Sequence, residues 1–322
     1  MFNLKNSSLT IVVLLASILV VSTAFLMIRV AQSEQVPSLA IAFWRLAIAS
    51  AMLCVFCGFR EATRHELANL PRSSLLLMLA SGGFLAVHFA TWIASLAYTS
   101  VASSTALVST NPVWLALFSW LVLKEPLDRW IWFGVTASLI GSIVIFSADA
   151  SAALSPGVAT STLGNGLALA GSVAVCGYLL IGRRLALQVS ISIYVTVVFS
   201  AAALALLLIA LSAGTNLTGF GTTAWLCLAG LAIGPQLIGH SGISWSLRHL
   251  APTMVAVAIL GEPIGSAVLA WWLLGEHIGP VQFVGLALLM MGIFLAARSA
   301  TTRNTPTAVV TRSEERRVGK EC

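Results

Sequence analysis

Charge is scarce in this 322-residue sequence: Asp, Glu, Lys and Arg make up 9% of it, against about 25% in ordinary soluble domains. With 58% hydrophobic residues and a mean hydropathy of +0.97, it has too little polar surface to cover a water-soluble globule. Soluble, fibrous and disordered classes are thereby excluded. No G-x-x-x-x-G-K-[ST] run is present, so the chain has no ATP site of its own to drive work. H-E-x-x-H, G-x-S-x-G and paired membrane aspartates are also missing, so the chain reads as a non-enzyme and implies no cofactor. The selectivity loop of potassium channels and rings of charge do not occur. The five cysteines are an odd count. Cys54 and Cys57 form a C-x-x-C inside an apolar run, without a second pair or nearby histidines, so neither a disulfide framework nor a zinc site is indicated. A basic soluble face, which nucleic-acid binding needs, is lacking too.

What the sequence has in quantity is long apolar runs. About 20 apolar residues cross a hydrocarbon core of about 30 Å. Ten such stretches are readable, at about 9–30, 37–59, 74–97, 102–123, 129–147, 162–182, 190–213, 222–247, 253–274 and 279–298. Turn residues such as Pro37, Pro71, Pro126, Pro156-Gly157 and Gly279-Pro280 separate them. The joins are short, so successive runs are antiparallel neighbours with no soluble domain between them. The first run exceeds a signal-peptide core and lacks a clean cleavage site after it, so it reads as a retained span. Solid apolar blocks, rather than alternating ten-residue segments, argue for helices and against a barrel. The expected fold is an all-α integral membrane protein of ten transmembrane helices.

Ten spans put both termini on one side. The segments on that side hold Lys5, Arg60, Arg64, Arg72, Lys124, Arg129, Arg183, Arg184, Arg248 and Arg298, whereas the opposite segments hold Arg29. The positive-inside rule then predicts cytoplasmic termini, in a bacterial inner membrane. Trp130, Trp132, Trp225 and Trp271-Trp272 fall at predicted interfaces, where amphipathic rings settle.

The two halves resemble each other. A shift of 151 residues aligns Pro112 with Pro263, Trp120 with Trp271, Glu125 with Glu276, Gly134 with Gly285 and Gly141 with Gly292. Each half has an odd number of spans, so the second copy is expected upside down. The loop chemistry agrees: Lys124 and Arg129 follow run four, while Glu276 and His277 follow run nine. Inverted five-helix repeats, here 9–147 and 160–298, belong to secondary transporters whose site lies at the repeat interface near the midplane.

Several local sequences resemble the drug/metabolite transporter superfamily, EamA type: Phe43-Trp44-Arg45-Leu46, Tyr98-Thr99-Ser100-Val101-Ala102, Asn111-Pro112-Val113-Trp114 with Leu123-Lys124-Glu125, and Glu262-Pro263 with Leu274-Gly275-Glu276. Val21-Ser22-Thr23-Ala24 departs from the Trp-Gly-Ser-Asn-like run that the family often carries in its first span, whereas Phe25, Ile28 and Arg29 fit. The resemblance implies a proton- or gradient-coupled exporter of small metabolites. The family includes amino-acid exporters, and its cavity is lined by spans one, three, four, six, eight and nine.

Ionisable side chains in a bilayer are costly and by default face a cavity. Arg45, His88, His240 and Glu262 lie well inside the runs. At 1.5 Å per residue, Glu262 and Asn111 both fall near the midplane, in pseudo-symmetric positions. Each precedes a proline that disturbs its helix and frees backbone carbonyls. A buried carboxyl at Glu262 suits proton exchange; the alternative is a structural carboxyl bonded to a neighbouring helix. His88 and Trp92 are four apart and share a helix face, as do Gln236, His240 and Ser244 in the corresponding run eight. These line a cavity or bond helices together; two lone histidines do not make a metal site. Arg45 either attracts an anionic group or anchors helix ends, and Tyr178 is a further candidate between cavity and packing. Gly134 with Gly141, and Gly285 with Gly292, are read as permitting close helix packing, as is Gly261-x-x-x-Gly265.

The expected function is secondary active export of small organic metabolites, amino acids among them, by alternating access. The expected partners are that substrate, the lipid bilayer and protons as coupling ion; a monomer is sufficient. Import of similar solutes and a non-transporting receptor or assembly role stand as alternatives. The segment 299–322 lacks apolar periodicity and is expected to be a disordered cytoplasmic tail; Arg312–Cys322 resembles translated vector sequence and receives no function.

Overall fold

The computed structural model describes residues 4–58, 61–123, 129–152, 161–185, 188–246, 258–259 and 261–304. All regular structure among them is helical. The first half contains α1 (Leu4–Ser22), α2 (Ala24–Ser33), α3 (Ser38–Gly58), α4 (Glu61–Ala68) and α5 (Arg72–Ser95). It continues with α6 (Val101–Val108), α7 (Asn111–Leu123) and α8 (Arg129–Ala152). The second half contains α9 (Ser161–Leu185), α10 (Ile191–Ser212), α11 (Thr222–Leu231), a π-helical segment (Ala232–Gly239) and α12 (His240–Ser246). It ends with α13 (Gly261–Leu274) and α14 (Pro280–Asn304), so helix continues past Ser299; the rest of the expected tail lies outside the described residues.

Seven helical stretches among the described residues are long and apolar enough to cross a membrane, and Pro280–Leu295 is a shorter apolar one. The difference from ten expected spans has local causes. The run 102–123 breaks at Ser109 and Thr110 into α6 and α7, where the Thr110 hydroxyl donates to the Leu107 carbonyl at 2.7 Å. Of the run 253–274, residues 253–257 and 260 lie outside the described residues. The outer surface carries large apolar side chains such as Trp272, Leu226 and Ile143, as a bilayer-facing surface requires.

Helix α8 lies along α14, α5 against α9 and α10, and α3 against α10. On the other flank α1 packs against the π-helical segment, α12 and α13. Small residues set the α8–α14 approach. A Cβ on Gly141 would lie 2.6 Å from the Leu289 nitrogen, and one on Gly285 would lie 3.1 Å from the Gly141 carbonyl. Gly292 meets Ser138 and the Gly134 carbonyl. The expected close packing through these glycines is therefore present.

Two irregularities position the polar groups described below. Pro235 has no N–H to donate and its ring crowds the preceding turn. The helix widens there, and the His240 N–H reaches back five residues to the Pro235 carbonyl. Between α1 and α2, the Thr23 hydroxyl donates to the Val20 carbonyl at 2.7 Å. At that break Ser22 donates to the Glu262 carbonyl and its own carbonyl accepts from Ser266, both at 3.2 Å. The stretch that departs from the family pattern is thus the one that holds the start of α13.

Candidate functional site

Arg45 organises the centre of the bundle. It sits on α3 with no accessible surface, and its Nε donates to Gln236 Oε1 at 2.8 Å. Its guanidinium carbon stands 4.3 Å from the centre of the Phe89 ring and 5.7 Å from that of Trp92. A desolvated cation–π contact is worth about 2 kcal/mol, so Phe89 contributes substantially to keeping this cation in place. Among the described residues no carboxylate lies within ion-pair distance of Arg45; the ion pair they contain is Arg29 with Glu276.

His88 and Trp92 share the face of α5 that the spacing predicts. Their rings are stacked, 6.1 Å between centres and 15° between planes. His88 Nδ1 lies 2.9 Å from the Gly171 carbonyl; since a carbonyl only accepts, this nitrogen carries the proton and donates. His88, His240 and Glu262 interact electrostatically with Arg45, and His88 interacts with His240. All four intramembrane ionisable residues singled out from the sequence therefore belong to one cluster. His240 is exposed, and His88 and Glu262 are partly exposed.

The other candidates stand apart from this cluster. Asn111 opens α7, where its backbone carbonyl accepts from Cys176 Sγ at 3.5 Å; next to it Thr110 and Ser172 share a hydrogen bond of 2.8 Å. Tyr178 packs with Tyr194, whose hydroxyl donates to the Tyr178 carbonyl at 3.1 Å and pairs with Ser81 at 2.8 Å. The side chain of Ser244 lies outside the described residues.

A second polar cluster lies at the end of the bundle away from the termini. Arg29 pairs with Glu276 Oε1 at 3.1 Å and donates to the Thr99 carbonyl at 2.8 Å. Glu276 Oε2 accepts the Val101 N–H at 2.8 Å. Gln282 donates to Ser100 and Ser103 at 3.0 and 2.8 Å. The turn after α13 aims Glu276: Gly275 adopts φ +67°, and the Glu276 N–H returns to the Ala270 carbonyl at 3.3 Å. Sequence reading did not make this cluster a site. Its signal was the presence of one cation, Arg29, in segments otherwise short of charge, with Glu276 in the loop on the same side.

A multi-pass helical membrane protein built around an interior charged cluster, without a catalytic motif, has the make-up of a membrane transporter. The chain belongs to the EamA-like transporter family, whose model matches twice, at residues 8–147 and 162–298. It is similar to two proteins of Bacillus subtilis (strain 168). One, the uncharacterized transporter YyaM, is 20% identical over 263 residues, covering 80% of this chain and 83% of the relative. The other, the uncharacterized transporter YwfM, is 27% identical over 219 residues, covering 65% and 68%. A solved crystal structure, 19% identical, shares the fold with a TM-score of 0.58 over 92% of this chain and 98% of its own.

Proposed function

We propose that the protein is a secondary active exporter of small organic metabolites, working by alternating access around the Arg45 cluster. The observation that carries this reading is that Arg45, His88, His240 and Glu262, drawn from helices of both halves, act on one another electrostatically. Charge is tolerated at membrane depth where it serves a pathway. Glu262 is the proton carrier, at the start of a helix held by Ser22; Gln236, Trp92 and Arg45 contact the solute, and Asn111 and Tyr178 line its route.

Ten spans in two inverted repeats, 9–147 and 160–298, support this cycle. Reciprocal packing supports a two-fold relation between the halves, and the odd number of spans in each makes that relation an inversion. Helix α3 packs on α10 and α8 on α14, while α5 on α9 is matched by the π-helical segment on α1. Each of these pairs is carried onto itself or onto another by the 151-residue shift. The basic residues of the predicted inner loops support cytoplasmic termini in a bacterial cell.

Reconstitution tests the reading. Purified protein in sealed liposomes, challenged with a labelled metabolite panel under an imposed pH gradient, is expected to concentrate at least one member. Saturable binding with no flux for any panel member would instead favour a receptor.

A further inference from the structure

Two neighbouring buried side chains each carry a nitrogen donor with no hydrogen-bond partner among the described residues. Arg45 Nη1 and Trp92 Nε1 each lack a hydrogen-bond partner among the described residues, on side chains that are 0% and 5% exposed. They belong to neighbouring groups, with the guanidinium carbon 5.7 Å from the Trp92 ring. A buried donor left unsatisfied costs about 1–3 kcal/mol, and more when charged. Native interiors rarely carry two together without a reason. Nearby protein acceptors do not fill the gap: Gln236 Oε1 is engaged by Arg45 Nε, and Glu262 acts on Arg45 from beyond ion-pair distance.

We propose that Arg45 and Trp92 bind the carboxylate of the transported solute, which therefore is a small organic monocarboxylate, with or without an amino group. This rests on the reading of the cluster as the substrate site. A carboxylate offers two acceptor oxygens in one plane, so one molecule takes both the guanidinium and the indole N–H while neutralising the buried cation. A neutral carbonyl satisfies a donor but leaves the charge uncompensated. A second negative charge is disfavoured only where the solute faces Glu262. Glu262 supplies no cation in either protonation state, so a second carboxylate facing it is unpaired or repelled. The Phe89 and Trp92 rings adjoin the Arg45 guanidinium, so a solute bound there through its carboxylate has an apolar body. Where the solute has an ammonium, Glu262 is the group that receives it.

The test compares matched compounds on the full-length protein in detergent, reading the thermal midpoint, and in liposomes, reading flux. The probes are phenylalanine, 3-phenylpropionate, benzoate, pyruvate and succinate, with the methyl esters of the first three and phenethylamine. At least one monocarboxylate is expected to raise the midpoint, while its ester, phenethylamine and succinate do not. The contrast between phenylalanine and 3-phenylpropionate reads the contribution of Glu262. Trp92→Phe keeps an aromatic ring, though a smaller one, and removes the N–H, so it should weaken the monocarboxylate response about tenfold, read as the ligand-induced shift from the variant's own ligand-free midpoint. Arg45→Gln should abolish the response. The proposal is overturned if no acid outperforms its ester, or if Trp92→Phe binds the acids unchanged. Flux of esters and amines equal to that of acids overturns it while leaving the transport reading intact. Binding of acids without flux of any probe sinks the transport reading and leaves the carboxylate site standing.

Discussion

The two arginines make an instructive pair. Arg29, at one end of the bundle, reaches a carboxylate at 3.1 Å and a backbone carbonyl at 2.8 Å, and both oxygens of its partner Glu276 are occupied. Apart from Arg29 Nε, that cluster closes on itself. Arg45, in the interior, has an amide and two aromatic faces for company, and its carboxylate neighbour stands off. A pair that satisfies itself holds segments together, here the end of α2, the start of α6 and the turn after α13. An arginine that is buried and left partly unsatisfied is held ready for something that arrives. The same side chain thus serves as a fastening in one place and as a binding group in the other, and what separates the roles is whether a carboxylate is built in.

Glu262 carries the largest expected effect. Glu262→Gln keeps the shape of the side chain and removes its exchangeable proton, so uphill accumulation driven by an imposed pH gradient should vanish while exchange at equal pH persists. A variant that still concentrates solute against such a gradient excludes Glu262 from coupling.

Gln236→Glu attacks the comparison directly by giving Arg45 the carboxylate that Arg29 already has. A hydrogen bond between charged groups is worth about 1.5–3 kcal/mol, so solute binding should fall about tenfold to a hundredfold, while the ligand-free protein melts at a higher temperature. Unchanged solute affinity in this variant would mean that Arg45 is not waiting for an anion.

Glu276→Gln loosens the closed cluster. The amide retains one acceptor for two claimants, Arg29 and the Val101 N–H, so about 1 kcal/mol is lost. Hydrogen exchange of the Val101 amide should then accelerate about fivefold, read by mass spectrometry of peptides covering Thr99–Ser104. Exchanging the two charges by Arg29→Glu with Glu276→Arg should not restore protection, because an arginine at 276 presents donors to a donor.

How far these regions were legible from the sequence follows the cost of each group. Arg45, His88, His240 and Glu262 stood out because a charge inside an apolar run needs a reason, and the structure gathers all four. Phe89 did not stand out, since aromatic residues are ordinary in such runs, and only its position beneath Arg45 gives it a role. Tyr178 is legible as a polar aromatic inside an apolar run, whereas the Tyr194 hydroxyl that donates to its carbonyl and pairs with Ser81 is a contact that no spacing rule reveals. The ten runs were legible as hydrophobicity, but the break at Ser109 and Thr110 and the widened turn at Pro235 arise from local hydrogen bonding, which a hydropathy profile averages away. The resemblance to the EamA type is legible in short local sequences such as Phe43-Trp44-Arg45-Leu46 and Asn111-Pro112-Val113-Trp114, and the repeat in the Pro, Trp, Gly and Glu that recur 151 residues on.

Gly275 provides the smallest and most indirect test of the contrast. Its φ of +67° lies in the left-handed region, which costs a residue bearing a Cβ about 1–2 kcal/mol. Among the described residues nothing beyond its chain neighbours lies within 4 Å of where that Cβ would stand, so the cost of Gly275→Ala is conformational and not steric. It falls on the turn that aims Glu276, and should loosen the Val101 amide by less than Glu276→Gln does, leaving solute binding at Arg45 untouched. Gly275→Asn, which tolerates the left-handed region better, should fall between wild type and alanine. If the alanine variant lost solute affinity while keeping amide protection, the two arginines would not be independent, and the closed end of the bundle would have to be counted as part of the binding site.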